Sequence, residues 1–210
     1  MPLPASRRTL LTRGATLVAM TAAPGWLTPA LAQTSLRPTP SQTEGPFYPV
    51  SLPADRDFDL LRNGQVAYGQ GQVAWIEGTV TDTRGVPLGG GVFEIWQCDH
   101  NGRYHHPGDG DRADPAFQGF GQVTLGRDGR YRFRTIRPVA YSGRTPHIHV
   151  KVRLDGQDLL TTQMYVDGDP HNERDFLWRR LNAEGRAALT RRFRAGADGQ
   201  RADFPIVVQA

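Results

Sequence analysis

The segment HIHVKVRLDGQDLLTTQMYV, residues 147–166, carries the pattern that decides the fold. Two runs of strand character, HIHVKVRL and LLTTQMYV, flank DGQD, which is typical of a turn. Because alternate side chains of a strand point to opposite faces, His147 and His149 share one face and the apolar side chains between them share the other. The segment therefore predicts a β-hairpin with an apolar face turned towards a core.

Further short runs of strand character follow one another along the chain. A second hairpin is predicted across GRDG, residues 126–129, which separates FGQVTL from RYRFRTIRP. Other strand candidates are QVAWIEGTVTD (72–82), VFEIWQCD (92–99) and FPIVVQ (204–209). Several short strands at this spacing predict an all-β fold, an antiparallel β-sandwich.

Two regions depart from the strand pattern. ERDFLWRRL (173–181) and AEGRAALTRRFRA (183–195) predict short C-terminal helices. Residues 33–71 are rich in Pro and Gly and predict an extended N-terminal arm before the domain at 72–210, and Phe47 and Tyr48 indicate that the arm packs against a protein surface. Arms of this kind often wrap neighbouring subunits, so a homo-oligomer is left open.

Residues 1–32 have the character of an export signal. Arg7 and Arg8 precede a moderately apolar run, and Ala30-Leu31-Ala32 places small residues at a cleavage position. The run contains Pro24 and Pro29 and is too short and too weakly apolar to span a membrane. We expect a cleaved twin-arginine signal, a periplasmic or secreted mature protein, and no membrane segment after cleavage.

Charge and cysteine content exclude several classes of function. The net charge of the chain is +4, but the leader holds three arginines and no acidic residue, so the remainder carries only +1. This balance does not favour nucleic acid as a partner. Cys98 is the single cysteine, so no intrachain disulfide forms and a thiolate-rich zinc site is not expected.

The His147/His149 pair offers two nitrogen donors to one metal ion. Pairs with this spacing occur in zinc, copper and iron sites, and also on strands that bind no metal. A ferrous site with two histidines and one carboxylate commonly needs an acidic residue close by. No acidic residue lies between Arg137 and Arg153.

Tyr104 and Tyr141 offer a different kind of donor. A phenolate is a hard anionic oxygen, and together with His147 and His149 these tyrosines would favour Fe(III) over Zn(II) or Fe(II). Their spacing alone, however, favours ordinary packing of each tyrosine at the edge of a core.

Five motifs, in this order, carry a resemblance to a known family. They are TEGPFYP (43–49), GVPLGGGVFEIWQCDHNGRY (85–104), YRFRTIRP (131–138), YSGRTPHIHVKV (141–152) and TTQMYVDGDPHN (161–172). Together they resemble the intradiol ring-cleavage dioxygenases, the family of protocatechuate 3,4-dioxygenase and catechol 1,2-dioxygenase. The chain shows no long N-terminal helical region, and so looks closer to the protocatechuate branch or to compact secreted members.

The resemblance implies a mononuclear non-haem Fe(III) centre. Tyr104 matches the equatorial tyrosinate ligand of the family, and Tyr141 matches the axial one, which leaves the iron when substrate binds. His147 and His149 match the two histidine ligands.

The same resemblance implies the reaction. The substrate would be a catecholic ring, cleaved by O2 between its two hydroxyls to give a muconate-type diacid, with Arg144 and Gln163 beside the ring. Two other interpretations stay open: a transthyretin-like β-sandwich that binds aromatic ligands without catalysis, and a cupin-type ferrous dioxygenase. Lys151, on the same strand face as the histidines, has no interpretation from the sequence.

Overall fold

The structure is a computed structural model that describes Met1 and residues 35–210. The chain divides into two units, Met1–Ala32 and Gln33–Ala210, and all the elements named below lie in the second unit. The predicted export signal lies outside the described residues apart from Met1, and it stays a prediction. No described helix combines the length and the apolar character that a membrane crossing requires.

Short strands dominate the described residues, as the all-β prediction requires. The strands are β1 (Arg62–Asn63), β2 (Val66–Ala67), β3 (Val73–Asp82), β4 (Val92–Trp96), β5 (Phe120–Thr124), β6 (Arg130–Ile136), β7 (His147–Leu154), β8 (Gln157–Val166), β9 (Thr190–Arg191), β10 (Arg194–Gly196), β11 (Gly199–Asp203) and β12 (Ile206–Val208). The helices are α1 (Phe176–Arg180) and α2 (Ala183–Leu189).

The sheet that carries the histidine pair has the strand order β5-β4-β7-β8-β9. Strands β7 and β8 form the predicted antiparallel hairpin, with His149 opposite Gln163. Its turn is Asp155-Gly156, at φ angles of 50° and 78°. A two-residue turn with positive φ at both positions matches the twist of the strands and favours Asp-Gly. The turn is therefore shorter than the four residues DGQD.

The second sheet is built around β3, with β6 on one edge and β11 and β12 on the other. The predicted hairpin of FGQVTL with RYRFRTIRP is wrong, because β5 pairs with β4 in the first sheet and β6 pairs with β3 in the second. Residues 126–129 do reverse the chain, but they lead it from one sheet to the other. A turn sequence specifies a reversal, whereas the partner of each strand depends on which sheet it completes.

The sheets are mixed, which corrects the prediction of a purely antiparallel sandwich. Strands β11 and β12 run parallel to β3, and β9 runs parallel to β8. Parallel pairing needs a crossover that returns the chain to the same end of the sheet, and the segment with α1 and α2 supplies it between β8 and β9. The second predicted helix extends to residue 195, but α2 ends at Leu189 because the chain then enters β9 and β10.

The apolar core lies between the two sheets. Phe93 and Ile95 of β4 and Ile148 and Val150 of β7 are fully buried in it. Tyr131 of β6 reaches across from the other sheet and stacks on Phe93 with ring centroids 3.8 Å apart. Since the apolar residues of β7 face this core, the alternate residues of β7 must point to the opposite side of the sheet, called here the outer face.

The arm follows the sheet edges from residue 35 onwards. The amide of Thr39 donates to the carbonyl oxygen of Val207 at 2.9 Å, and the amide of Gln42 donates to that of Thr161 at 2.8 Å. Between these two hydrogen bonds the arm passes from β12 in the second sheet to β8 in the first. The arm is therefore packed on its own domain.

Gly78 of β3 lies against the segment that joins β11 and β12. A Cβ atom at this position would lie 2.5 Å from the carbonyl oxygen of Phe204 and 3.0 Å from the Tyr131 hydroxyl. We expect Gly78→Ala to lower the free energy of unfolding by about 1–3 kcal/mol through overpacking, as measured by urea denaturation. Gly69 has nothing within 4 Å of the corresponding point, so Gly69→Ala is the control and should change stability by about 0.5 kcal/mol or less. Equal losses in both variants would contradict this account.

Candidate metal centre

The four predicted ligand side chains meet on the outer face of the first sheet. His147 and His149 project from β7, whereas Tyr104 follows β4 and Tyr141 precedes β7 in irregular segments. His147 Nε2 lies 3.2 Å from His149 Nε2 and 3.4 Å from Tyr141 Oη. The Tyr104 ring centroid lies 5.0 Å from that of Tyr141 and 6.1 Å from that of His149. Residues far apart in sequence are thus brought around one point.

Both histidines are held as neutral rings. His147 Nδ1 lies 2.6 Å from the carbonyl oxygen of Thr145, which can only accept, so Nδ1 carries the proton and Nε2 keeps its lone pair. The His149 ring stacks on Trp96 with centroids 4.8 Å apart, and its Nδ1 is buried without a hydrogen-bond partner. Burial lowers the pKa of His147 to about 3 and the pKa of His149 well below its usual value. Neutral imidazole is the form that binds metals.

The Tyr104 hydroxyl is buried and, within residues 35–210, makes no hydrogen bond of normal geometry. An unpaired buried group of this kind costs about 1–3 kcal/mol. Phe47 stacks on the ring with centroids 4.7 Å apart and covers it. Burial raises the pKa of Tyr104 well above its usual value and also raises the pKa of Tyr141. Neither phenol would ionise near neutral pH unless a cation lay beside its oxygen.

This set of donors fits a ferric ion. Two imidazole nitrogens and two phenol oxygens converge, and within residues 35–210 the Tyr104 hydroxyl makes no hydrogen bond of normal geometry, its polar neighbour being the Tyr141 hydroxyl. Over the described part of the chain, no group of three or more His, Cys, Asp or Glu side chains could hold a metal. These residues therefore form no two-histidine, one-carboxylate site. A hard trivalent cation is the natural partner of paired phenolates.

Arg144 and Gln163 lie beside the four rings. Arg144 Nη2 donates to Gln163 Oε1 at 2.7 Å, and Gln163 Nε2 donates to the carbonyl oxygen of Thr43 in the arm at 3.0 Å. The amide of Arg144 also donates to the carbonyl oxygen of Tyr141 at 2.7 Å, closing a turn. One turn thus places a candidate ligand and a cation side by side.

Asp175 is a site residue that the sequence did not indicate. Its Oδ2 accepts a hydrogen bond from Arg144 Nε at 2.7 Å, and the aspartate side chain is fully buried. The sequence DFLW does predict an aspartate at the start of a helix. Nothing local indicates that the same carboxylate reaches an arginine 31 residues earlier.

The arm covers the outer face of the sheet, and its residues are the partners of Lys151 on that face. The Lys151 ammonium is buried over the Tyr48 ring, 4.0 Å from its centroid, and forms ion pairs with Glu44 of the arm and Asp158 of β8. The Tyr48 hydroxyl donates to Glu94 at 2.9 Å. These contacts hold the arm against the sheet at Tyr48, and the neighbouring residue, Phe47, stacks on Tyr104.

Gly45 brings the arm close to a candidate ligand. Its φ is +76°, and a Cβ atom there would lie 3.3 Å from His149 Cε1. A residue with a side chain would be strained in this conformation and would press on the imidazole. Two residues of the motif TEGPFYP therefore act at the centre: Gly45 allows the arm to approach His149, and Phe47 covers the Tyr104 ring.

A cavity of about 160 Å³ adjoins the centre. Phe47, Trp96 and Tyr104 are among the residues that line it, but Arg144 and His147 are not. The cavity therefore lies on the Tyr104 side of the centre.

The fold and the site define a class of protein, and comparison with known proteins agrees with it. Residues 43–210 match a family model described as Dioxygenase. A protocatechuate 3,4-dioxygenase beta chain of Burkholderia cepacia is 35% identical over 160 residues, covering 70% of this chain and 68% of that protein. The chain belongs to the intradiol ring-cleavage dioxygenase family, so the predicted family is confirmed.

Two further relatives show how the chain compares in length. A hydroxyquinol 1,2-dioxygenase of Corynebacterium glutamicum is 35% identical over 148 residues, covering 61% of this chain and 46% of that protein. The dioxygenase domain of a dioxygenase carbohydrate-binding protein fusion from Streptomyces sp. SirexAA-E is 32% identical with a TM-score of 0.66, covering 83% of this chain and 99% of that one. The chain spans about half the length of the hydroxyquinol and catechol 1,2-dioxygenases that it matches. These relatives do not favour the transthyretin-like alternative.

The buried histidines should make the stability of the metal-free protein depend on pH. Folding depresses the pKa values of His147 and His149 from the ordinary value of 6.5, so just below pH 6.5 the unfolded chain binds more protons than the folded one. The contribution of the two neutral histidines to the free energy of unfolding is therefore fully present above pH 6.5 and is lost as the pH is lowered. The expected loss is about 1.4 kcal/mol per histidine between pH 7.5 and pH 5.5, as measured by urea unfolding.

The double variant His147→Gln, His149→Gln is the control for this slope. It lacks both titrating rings, so its stability should change much less over the same pH interval. An undiminished slope in the double variant would assign the effect to other groups.

Proposed function

We propose that this protein is a non-haem Fe(III) dioxygenase that cleaves a catecholic ring between its two hydroxyls with O2 and releases a muconate-type diacid. The observation that carries the proposal is the meeting of Tyr104, Tyr141, His147 and His149 around one point, where the buried Tyr104 hydroxyl has another candidate ligand, Tyr141, as its polar neighbour. Membership of the intradiol family supports the same reaction.

Tyr104, Tyr141, His147 and His149 would hold the metal. Bound there, a ferric ion supplies the Lewis acidity that lowers the pKa values of the phenols and of the catechol hydroxyls and makes the ring reactive towards O2. Both imidazoles are already neutral, so metal binding would require net proton loss only from the phenols.

Tyr141 has the properties of a base for the substrate. Its side chain is partly exposed, whereas Tyr104 is buried, and the exposed residues Ser142 and Gly143 follow it. Burial raises its pKa, so a phenolate oxygen at this position takes up a proton readily. Tyr141 Oη could therefore accept a proton from a catechol hydroxyl.

Arg144 would stabilise negative charge that develops on the ring. Its side chain is only 13% exposed, so its charge acts with little screening by water. Phe47 and Trp96 cover the far side of the centre through their contacts with Tyr104 and His149. A substrate bound between these groups would meet a cation on one side and apolar rings on the other.

The names of the relatives suggest which catechols to test. Hydroxyquinol, catechol and protocatechuate are named as substrates of the similar enzymes, and they differ in the groups attached to the catechol ring. Iron-loaded protein, incubated with each compound under O2, should convert at least one of them to a product heavier by one O2 molecule. Mass spectrometry measures the gain, and NMR should show a diacid without an aldehyde. An aldehyde product, or no turnover of any catechol, would refute the proposed reaction.

Tyr104→Phe tests the site within the same assay. It removes the hydroxyl but keeps the ring that stacks on Phe47, and it should weaken the visible absorption of the iron-loaded protein and lower kcat at least 100-fold. Tyr68→Phe is the matched control, because Tyr68 is also buried but its hydroxyl accepts a hydrogen bond from the amide of His100 at 3.0 Å. Similar losses in both variants would show that the Tyr104 hydroxyl has no specific role as a metal ligand.

We further propose that the twin-arginine route exports the protein to the periplasm or beyond. Support comes from Arg7-Arg8 and from the small residues around Leu31 in the leader. The double variant Arg7→Lys, Arg8→Lys should remain in the cytoplasm in cell fractionation, whereas Arg13→Lys should be exported normally. Export of the double variant at the normal level would contradict the proposal.

A further inference from the structure

We propose that Asp175 is a positioning residue for Arg144, setting which edge of the guanidinium faces the substrate. This inference rests on the proposed function, because it gives Arg144 a role towards the ring. Asp175 itself would touch neither the substrate nor the metal, and it would act only through the arginine.

The Asp175 carboxylate has two sets of donors, one on each oxygen. Oδ2 accepts from Arg144 Nε at 2.7 Å and from the amide of Thr145 at 3.1 Å. Oδ1 accepts from the amides of Leu177 and Trp178 at 3.0 Å and 2.9 Å, which caps α1. One buried anion thus joins the segment that leads into β7 to the first turn of α1.

These contacts leave a defined edge of Arg144 available. A guanidinium has five N–H donors in a rigid plane. Asp175 accepts a hydrogen bond from Nε and Gln163 accepts one from Nη2, and the Tyr165 hydroxyl is a further polar neighbour of the guanidinium. Because the group is planar, holding Nε and Nη2 also fixes the direction of Nη1. The contacts at Nε and Nη2 therefore set the orientation in which Arg144 is presented.

The charge of Asp175 matters as well as its shape. Arg144 is largely buried and lies close to two neutral imidazoles, so without a counter-ion its charge would be poorly stabilised. Asp175 is completely buried and forms the ion pair. The Phe176 ring, which begins α1, lies 5.4 Å from Arg144 Cζ, so the capped helix also covers the cation.

The competing explanation is that Asp175 serves only as a helix cap, and Asp175→Asn separates the two roles. Asparagine caps helices about as well as aspartate, so its amide oxygen can still accept from Leu177 and Trp178. Its amide nitrogen then faces Arg144 Nε and the amide of Thr145, both of which are donors. The variant keeps the cap and loses the partner of Arg144.

Asp82→Asn is the matched control. Asp82 is also buried and also accepts hydrogen bonds from an arginine Nε, that of Arg84 at 2.8 Å, and from two backbone amides. It lies at the end of β3, in the other sheet. It therefore reports what the loss of a buried aspartate does to stability in general.

The first measurement needs neither iron nor substrate. In the full chain prepared without iron, NMR should show an Arg144 Nε–H proton that exchanges slowly with water. Exchange should be at least tenfold faster in Asp175→Asn, while the Leu177 and Trp178 amides stay protected. Asp82→Asn should leave the Arg144 signal unchanged. Rapid exchange of this proton in the wild type would overturn the proposal whether or not the variant folds.

The second measurement uses the iron-loaded enzyme. Asp175→Asn should lower kcat at least tenfold with a smaller change in KM. A misdirected cation would stabilise the transition state less well than a correctly directed one, whereas substrate binding would change less. Asp82→Asn should keep kcat within twofold even if its melting temperature falls. Normal kcat in Asp175→Asn, or an equal fall in both variants, would leave Asp175 a structural residue. If the wild type cleaved no catechol, the proposed function would fail, and the NMR result would still decide how Arg144 is held.

Discussion

Strand β7 is buried on both faces, and this constraint organises the rest of the molecule. On the inner face Ile148 and Val150 pack between the sheets, and on the outer face His147 and His149 lie under loops and the arm. A shift of one residue in register would place the imidazoles in the apolar core. The packing that stabilises the sandwich therefore also directs the candidate metal donors.

The electrostatics of the centre follow from the same burial. Neutral imidazoles and protonated phenols are the stable forms there, because a lone charge would be costly. The nearby cation, Arg144, already has its counter-ion in Asp175. Loss of protons from Tyr104 and Tyr141 would balance two of the three charges of a bound trivalent ion, which leaves one positive charge for an anionic solvent or substrate ligand.

Much of the fold and of the site could be predicted, but with uneven success. The two turn sequences DGQD and GRDG look equally convincing, yet only the first closes a hairpin, since β6 completes the sheet around β3. The candidate ligands came from alternation along β7 and from motifs of the family. Asp175 and the role of Lys151 could not be found in this way, because their partners are distant in the chain.

The sequence by itself determined the longer strands β3 to β8, the shared face of His147 and His149, and the membership of a dioxygenase family. These features depend on neighbouring residues, whose geometry the backbone transmits directly. Only the tertiary structure decided that β11 and β12 run parallel to β3, that the arm covers the centre, and that Asp175 holds Arg144. Each of these joins segments far apart in sequence, and which of them meet depends on how the whole chain buries its apolar surface.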